Sequence, residues 1–354
     1  MSLSCAHKSL KRWHLPDPLV DVLATGAVCL GDTVICDGYA NTKRVRVQTH
    51  IHDDHMDDFN KSKGLQDIFM SPETRELLIA EHNAELEYRD NLKPVRPDHP
   101  TQLDDGSKLT LLPSNHMLGA CQVLLERPDG VRCGYSGDFS WPLADIIQAD
   151  QLVVDATYGN PISVRNYTQT EAETSLLEVV ATRLRQGPVH IKAHRGTIER
   201  VLGVLDGAIQ APIVASKRLL REVSVYQNNG FAVGVIHDLD SNDGQSAQQS
   251  GSYVRVYSKG DGFGNVPHAG TSITCSAYMV NRDDPLLKFS ERSYQVALSN
   301  HADFKETLEF IVASGAKLVI TDNTRTNGLT LANAINERLD GVTAMPSTNR
   351  IVYE

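Results

Sequence analysis

The sequence predicts the α/β class, with one α/β segment inserted into a β-rich parent domain. Three observations predict it. Short apolar stretches punctuated by Gly and Asp dominate residues 1–162 and favour strands. From residue 170 helical periodicity alternates with strands, and after residue 293 a closing series of strands and helices follows. The predicted division is therefore 1–162 and 294–354 for the parent domain and 163–293 for the insert.

Strands dominate the first predicted part. Apolar and polar residues alternate over 20–50, in runs such as TVICDG and RVRVQTH, and this pattern predicts a β-meander. Four further short strands are predicted by the same pattern, at 107–114, 121–126, 131–135 and 151–155.

Helices and strands alternate in the predicted insert. Thr170 and Glu173 have the spacing of a capping box, and the helix that they start is predicted to end at Gly187. The next segments are predicted as strand, helix, strand and helix, at 188–193, 197–209, 211–216 and 217–229. The polar stretch 240–252 predicts a loop. In the last part, strand and helix alternate again, at 294–299, 304–314, 317–321 and 329–339.

The charge balance is acidic, with 44 Asp and Glu against 34 Lys and Arg and a formal net charge of −10. This balance argues against a surface that binds nucleic acid throughout. Between residues 183 and 221, however, eight basic side chains accompany only two acidic ones. Such a segment favours phosphate contacts, and a solvated helix face is the alternative.

Composition also bears on the compartment. No apolar run reaches the roughly 20 residues that a membrane helix needs. The first residues lack the apolar core of a secretory signal. The six cysteines are scattered without a CxxC pair, which favours a reducing compartment. We therefore expect a cytoplasmic protein that does not enter a membrane.

The motif 49-THIHDDH-55 is the strongest chemical signal in the chain. It directly follows a predicted strand, where residues two apart share a face, so His50 and His52 can bind one ion. Asp54 and His55, in the turn that follows, can reach a second position beside it. Imidazole and carboxylate ligands suit zinc and also manganese. A polar loop that happens to hold three histidines is the alternative.

Two isolated residues extend this set. His116, in SNHMLG, and Asp138, in YSGDFS, both lie at predicted strand ends. Alone, the first is more typical of a surface or core histidine and the second of a turn. Together they supply a third imidazole for the first ion and a carboxylate that both ions can share.

The order of these motifs resembles the metallo-β-lactamase superfamily. That superfamily has a His-x-His-x-Asp-His motif, then a single His, then a single Asp. The resemblance implies a four-layer αβ/βα sandwich with two metal ions at the edge of two sheets. It implies that His50, His52 and His116 bind the first metal ion. Asp54 and His55 would bind the second ion, and Asp138 would lie between the two ions.

Three later segments resemble motifs A, B and C of the β-CASP nucleases: LVVDATYG with Asp155, LSNHADF with His301, and LVITDNT with Asp322. In that branch an α/β cap lies between motifs A and B, which is where the predicted insert lies. Motif C is a histidine in the RNA-processing members, whereas Artemis-like DNA enzymes lack it, as this chain does. Asp322 is either an oxygen ligand of the second metal or a turn residue at the strand end.

The resemblance implies two divalent cations, zinc with manganese as the alternative, that activate a water molecule. Asp54 would orient this water. His301 is the candidate general acid, because histidine titrates near neutral pH, and a core histidine is the alternative. Asp155 would orient a histidine.

A phosphate site is predicted where 194-HRGT-197 opens a helix, because free backbone N–H groups there favour an anion. His194, Arg195 and Thr197 are its candidate residues, and ordinary surface residues are the alternative.

The resulting hypothesis is a metal-dependent exonuclease that acts on single-stranded nucleic acid, with DNA favoured over RNA because motif C lacks a histidine. An RNA-processing β-CASP ribonuclease is the nearest alternative. A second alternative is a metallo-hydrolase of a small-molecule ester, thioester or lactone, but such an enzyme has no use for a basic insert. A non-catalytic scaffold would be expected to lack metal ligands, whereas the first six are present.

Overall fold

Three β-sheets and eight helices make up the computed structural model, which describes residues 18–82, 86–261, 269–276, 282–324 and 327–351. The predicted α/β class is confirmed. Within these residues, none of the helices has both the length and the apolar character needed to cross a membrane.

The elements are numbered in chain order. The first eleven strands are β1 (Val20–Val22), β2 (Val28–Leu30), β3 (Val34–Cys36), β4 (Val45–Val47), β5 (Asp67–Met70), β6 (Leu92–Pro94), β7 (Thr101–Gln102), β8 (Lys108–Pro113), β9 (Cys121–Glu126), β10 (Arg132–Tyr135) and β11 (Gln151–Val154). The other strands are β12 (Val189–Lys192), β13 (Ile213–Ala215), β14 (Ile236–Asp238), β15 (Val254–Tyr257), β16 (Thr271–Cys275), β17 (Leu286–Ser290), β18 (Ser293–Val296), β19 (Leu318–Thr321) and β20 (Thr343–Pro346). The helices are α1 (Phe59–Leu65), α2 (Pro72–His82), α3 (Gln169–Leu184), α4 (Thr197–Leu205), α5 (Lys217–Asn228), α6 (Asn242–Gln249), α7 (Phe304–Ser314) and α8 (Gly328–Arg338).

The first sheet has the strand order β1-β2-β3-β4-β5-β6 and the second β20-β19-β11-β10-β9-β8-β7. Apolar residues from both, such as Val47 and Val123, form one buried cluster, so the two sheets share a core. On the other face of the second sheet, Phe310 and Ile335 of α7 and α8 pack in a cluster with Val154. The predicted meander is correct for β1 to β3 but wrong for β4, which runs parallel to β3.

The third sheet has the order β14-β13-β15-β12-β16-β18-β17, and β17 pairs antiparallel with β18 whereas the other pairs are parallel. It lies in the chain between β11 and β19, which pair in parallel in the second sheet. The chain thus leaves the second sheet, builds the third and returns. Because β18 pairs with β16, the third sheet extends through Val296, beyond the boundary expected at 293.

Two local predictions are wrong. The capping box of α3 consists of Thr168 and Glu171, since the Thr168 hydroxyl accepts from the Glu171 N–H and the Glu171 carboxylate accepts from the Thr168 N–H. The stretch predicted as a loop contains α6. Its Ser241 hydroxyl accepts from the Gly244 N–H, and Ala247 is buried in an apolar cluster. A local pattern of polar residues does not reveal this tertiary contact.

Candidate metal centre

The segment after β4 carries the histidine motif, and two buried polar side chains fix its path. Arg46 donates to the main-chain oxygen of His55 at 3.0 Å, and Gln48 donates to the main-chain oxygens of His50 and His55 at 2.6 and 2.9 Å. These bonds satisfy carbonyl groups that a tight turn leaves without helical partners. The short turn Asp53–His55 is thereby held against the end of the sheet.

Three imidazoles and one carboxylate converge at this end of the two sheets. His52 Nδ1 lies 3.2 Å from His50 Nε2 and 3.1 Å from His116 Nε2. Asp138 Oδ2 lies 3.7 Å from each of His50 Nε2 and His116 Nε2. The four ligand atoms lie within 4.8 Å of one another, so the group can hold a metal ion.

In each of the three rings, one nitrogen bonds to a neighbouring protein group, and this bond sets the direction of the nitrogen that faces the other two rings. His116 Nδ1 donates to Asn300 O at 2.9 Å, and His52 Nε2 donates to Arg195 O at 3.2 Å. The Thr49 hydroxyl donates to Asp37 at 2.6 Å, so it accepts from His50 Nδ1 at 3.0 Å. Neutral imidazoles bonded in this way direct three lone pairs at one point.

Protonation of the three rings is disfavoured as well. Burial, together with the neighbouring imidazoles, lowers the pKa of His50 and His52 well below the ordinary value. Burial lowers the pKa of His116 to about 4, and His301 adds to the effect. Three facing lone pairs without protons repel one another unless a cation lies between them. This donor set therefore fits a divalent ion.

A second position adjoins the first through Asp138. His55 Nε2 lies 3.4 Å from Asp138 Oδ1 and 3.9 Å from Asp54 Oδ2. One Asp138 oxygen thus faces the three imidazoles and the other faces His55, which is the geometry of a shared carboxylate. Burial lowers the pKa of His55, but Asp138 and Asp37 outweigh it and bring the pKa well above its ordinary value.

Asp37 was not predicted from the sequence. It is buried, with a positive φ of 54°, directly after β3. Its Oδ1 accepts from the Thr49 N–H at 2.8 Å, and its Oδ2 accepts from the Thr49 hydroxyl at 2.6 Å and from His55 Nδ1 at 2.8 Å. One carboxylate therefore orients both His55 and, through Thr49, His50. In the sequence its Asp-Gly context indicates only a turn.

Asp37→Asn is expected to weaken divalent-ion binding by about 10–100-fold, because an amide nitrogen cannot accept from both the Thr49 hydroxyl and His55. Asparagine keeps the size and tolerates positive φ. Chelator competition measures the affinity. Asp98→Asn is the matched control, since Asp98 is exposed and has a φ of 65°. Equal affinities of wild type and Asp37→Asn would contradict the assigned role of Asp37.

His301 and Asp155 form a third group with Asp138 whose ligand atoms also lie within 4.8 Å of one another. His301 Nδ1 is 3.4 Å from Asp155 Oδ2, and His301 Nε2 is 3.9 Å from Asp138 Oδ2. The His301 and His116 ring centroids are 4.5 Å apart. Asp155 Oδ1 accepts from the Thr157 N–H at 2.8 Å, which holds the carboxylate in place. The structure thus brings His301 and Asp155 beside the shared carboxylate.

Asp322 lines a cavity of about 280 Å³ together with Asp54, His55, Asp138 and Asp155. Its Oδ1 accepts from the Thr324 N–H at 2.8 Å and from the Thr324 hydroxyl at 2.6 Å. These bonds are those of a turn at a strand end. The groups of possible ligands found among the described residues do not include Asp322. Its assignment as a metal ligand stays a prediction.

A cleft of about 700 Å³ opens between the metal centre and the third sheet. On one side it is lined by His52, His116 and Asp138, and on the other by His194 and Thr197. Lys259, two residues after the end of β15, also lines the cleft, and its Nζ lies 3.1 Å from Asp53 in the histidine motif. All three residues predicted to bind phosphate, His194, Arg195 and Thr197, therefore line the cleft that the imidazoles face.

Arg195, the third of them, also makes close contacts with neighbouring protein groups. Its guanidinium lies 2.6 Å from Glu81, 3.2 Å from Glu222 and 3.2 Å from Ile51 O, and the residue is 8% exposed. These contacts engage each of its three nitrogens, and a contact of Arg195 with a substrate phosphate stays a prediction. Arg195 thus links the insert to the parent domain.

The basic segment 183–221 is also less positive in the fold than in the sequence. Acidic side chains from outside the segment pair with its members: Glu291 with Arg183, Glu173 with Arg200, Asp238 with Lys217, and Glu81 with Arg218. A sequence window cannot include these partners. The positive charge available to a substrate is correspondingly smaller.

Glu199 is fully buried in α4, where its Oε2 accepts from the Gly196 N–H at 2.7 Å. Its Oε1 has no hydrogen-bond partner among the described residues. Burial raises the pKa of Glu199 to about 7. The protonated form is therefore favoured in the fold. The contribution of Glu199 to the free energy of unfolding is fully present below the ordinary pKa of a glutamate and is lost as pH rises through 7.

Glu199→Gln should remove this loss. Relative to the variant, we expect the free energy of unfolding of the wild type to fall by roughly 3 kcal/mol between pH 4 and pH 9. Urea unfolding at both pH values measures it. Glu178→Gln, at an exposed position of α3, is the control. Parallel pH profiles for wild type and Glu199→Gln would show that Glu199 is ionised in the fold.

Comparisons with known proteins add a relationship to this geometry. A protein of Acidianus ambivalens, named "Uncharacterized protein in lig 3'region", is 32% identical over 118 residues, which are 32% of this chain and 84% of that protein. The chain belongs to the same family as this protein. An "RNase J-like protein" of Methanocaldococcus jannaschii is 24% identical over 142 residues, 36% of this chain and 34% of that relative.

The chain thus spans about a third of the RNase J-like relative that it matches. No protein-family model matches this chain. The second similarity indicates a distant relation to an RNase J-like protein, and the presence of the His/Asp cluster agrees with it.

Proposed function

We propose that this protein is a metal-dependent nuclease of the metallo-β-lactamase superfamily, in its β-CASP branch. The observation that carries the proposal is the convergence of His50, His52 and His116 on one point, with Asp138 shared between that point and His55. The relation to an RNase J-like protein supports nucleic acid as the substrate.

The architecture supports this branch as well. Two sheets share a core, with α7 and α8 on the outer face of the second. Helix α2 contributes Leu77 and Leu78 to a cluster with Ile68 of the first sheet. A four-layer αβ/βα sandwich, with the third sheet as an inserted cap, accounts for this arrangement and for the interruption of the second sheet between β11 and β19.

Two divalent ions are proposed, zinc with manganese as the alternative. Such ions supply an activated water and neutralise charge on the phosphoryl oxygens. His50, His52 and His116 are proposed to hold the first ion. Asp54 and His55 are proposed to hold the second, with Asp322 as a further candidate. Asp138 is proposed to bind both ions. The described cysteines are free thiols, which supports the reducing, cytoplasmic location expected from the sequence.

The remaining polar groups of the cleft act on water and on the leaving group. Asp54, whose side chain is 52% exposed, is proposed to accept a hydrogen bond from the attacking water. His301 Nε2 is proposed to give its proton to the departing oxygen, while Asp155 holds Nδ1 of the same ring. His194, Thr197 and Lys259 line the same cleft and are proposed to contact the substrate phosphates.

Single-stranded nucleic acid is the proposed substrate, cleaved from an end. The contact between Lys259 and Asp53 supports this mode, since it joins the cap to the metal-bearing turn beside the cleft. The absence of a histidine at Asp322 favours DNA, and the RNase J-like relative favours RNA as the second candidate.

A substrate panel tests the proposal. Single-stranded DNA and RNA, each with a 5′-phosphate or a 5′-hydroxyl, are incubated with the protein and Zn²⁺ or Mn²⁺, beside a thioester and a lactone. We expect cleavage of a polymer, faster on 5′-phosphorylated ends. Turnover of only the thioester or lactone would overturn the nuclease proposal. Equal rates on both kinds of 5′ end would overturn only the contact of His194 and Thr197 with a terminal phosphate.

A further inference from the structure

Four charged side chains form a cluster where the cap meets the parent domain; it is called the interface cluster and consists of Glu81, Arg195, Arg218 and Glu222. Glu81, on α2, lies 2.6 Å from Arg195 and 2.7 Å from Arg218. Glu222, on α5, lies 3.2 Å from each arginine. Arg195 and Glu222 are 8% and 1% exposed. Buried ion pairs of this kind contribute little net stability, so a role in positioning is the better explanation.

Arg195 contacts the histidine motif twice. Its Nη1 donates to Ile51 O at 3.2 Å, and its own carbonyl oxygen accepts from His52 Nε2 at 3.2 Å. The second bond keeps the proton of His52 on Nε2, and Nδ1 is left to face His50 and His116. A residue of the cap thus fixes the ring orientation of a proposed metal ligand that belongs to the parent domain.

The next residue shows how closely the cap approaches the site. Gly196 has a φ of 76°, and a Cβ built on it would lie 2.8 Å from Met117 Cβ and 3.1 Å from His116 O. Only glycine fits both that conformation and that space. The segment 195–196 therefore packs against the loops of His52 and His116, and the interface cluster anchors it through the Arg195 guanidinium.

We infer that Arg195 is a positioning residue for the metal centre, through which docking of the cap sets the orientation of His52 and hence the affinity for the ion. This inference rests on the proposed metal site. It assigns to the cap a part in metal binding, in addition to its proposed contacts with substrate.

Two variants test the inference from opposite sides of the interface. Arg195→Lys keeps the charge, but one ammonium group cannot reach Glu81, Glu222 and Ile51 O together. Glu81→Gln weakens the cluster from the parent domain. Arg183→Lys is the matched control, because Arg183 contacts Glu291 and Tyr294 within the cap.

Affinity for Zn²⁺ is measured by competition with a chromogenic chelator, and ligand geometry by the visible spectrum of the Co²⁺-loaded protein. We expect Arg195→Lys to lower the affinity by about 10–100-fold and to change the Co²⁺ spectrum, with Glu81→Gln in the same direction and Arg183→Lys unchanged.

If the wild type binds the ion and both interface variants keep its affinity and its Co²⁺ spectrum, the inference is overturned while the proposed function stands. If the wild type binds no divalent ion, the proposed function fails, and the inference fails with it.

Discussion

Asp138→Asn is expected to abolish most metal-dependent hydrolysis, with a loss of at least roughly 10³-fold, because metal ions supply several kcal/mol of transition-state stabilisation. Asp138 is the residue whose two oxygens face the two proposed ion positions, 3.7 Å from His116 Nε2 and 3.4 Å from His55 Nε2. Burial raises its pKa, but His55 and the other histidines outweigh this, and the pKa lies well below its ordinary value. The native side chain is therefore an anion that an amide cannot replace.

Two measurements on Asp138→Asn separate loss of the site from loss of the fold. Metal content per chain should fall together with the rate, while the circular dichroism spectrum stays native. Asp145→Asn, an exposed aspartate between β10 and β11, is the control and should keep both metal and activity. An Asp138→Asn protein that retains the wild-type rate would exclude Asp138 as a shared ligand.

His301→Ala is expected to lower the hydrolysis rate by about 10²–10⁴-fold, the usual contribution of a general acid, while the metal content stays at the wild-type level. The reason is geometric: Nδ1 lies 3.4 Å from Asp155 Oδ2, and Nε2 lies 3.9 Å from the shared carboxylate. A ring held in this way can carry a proton at the edge of the cleft.

A substrate with a good leaving group distinguishes an acid from a ligand. Bis(p-nitrophenyl) phosphate releases an oxyanion that needs no proton, so His301→Ala should lose much less activity on it than on DNA or RNA. His99→Ala, at an exposed histidine, is the control for the substitution itself. An equal loss on both substrates, together with loss of metal, would instead make His301 a metal ligand, which the grouping of His301 with Asp138 and Asp155 permits.

Much of the candidate site was visible in the sequence because its residues stand at strand ends. His50, His52 and His55 are close in the chain, so their spacing alone brings their rings together. His116 and Asp138 follow strands of the adjoining sheet. They could be assigned to the site because their order along the chain matches that of the metallo-β-lactamase motifs. The α/β class likewise follows from local periodicity, which is why helices such as α7 were predicted at their observed bounds.

The residues that were missed act through tertiary contacts. Asp37 is 18 residues from His55 in the chain, and only the pairing of β3 with β4 brings the two side chains together. The contacts of Arg195 likewise depend on Glu81, which lies on α2, a helix that packs against the first sheet. Neither contact leaves a periodic or spacing signal. For the same reason, the net charge of segment 183–221 taken from the sequence is more positive than its charge in the fold, where acidic side chains from outside the segment pair with it.

The most direct test of the proposed function is metal-dependent cleavage of a 5′-phosphorylated single strand by protein that has been stripped with a chelator. We predict no cleavage of DNA or RNA by the stripped protein and recovery of cleavage when Zn²⁺ or Mn²⁺ is returned, with no recovery for Asp138→Asn. If the wild type cleaves neither polymer with either ion, or cleaves equally well without one, the metal-dependent nuclease proposed for this chain is contradicted.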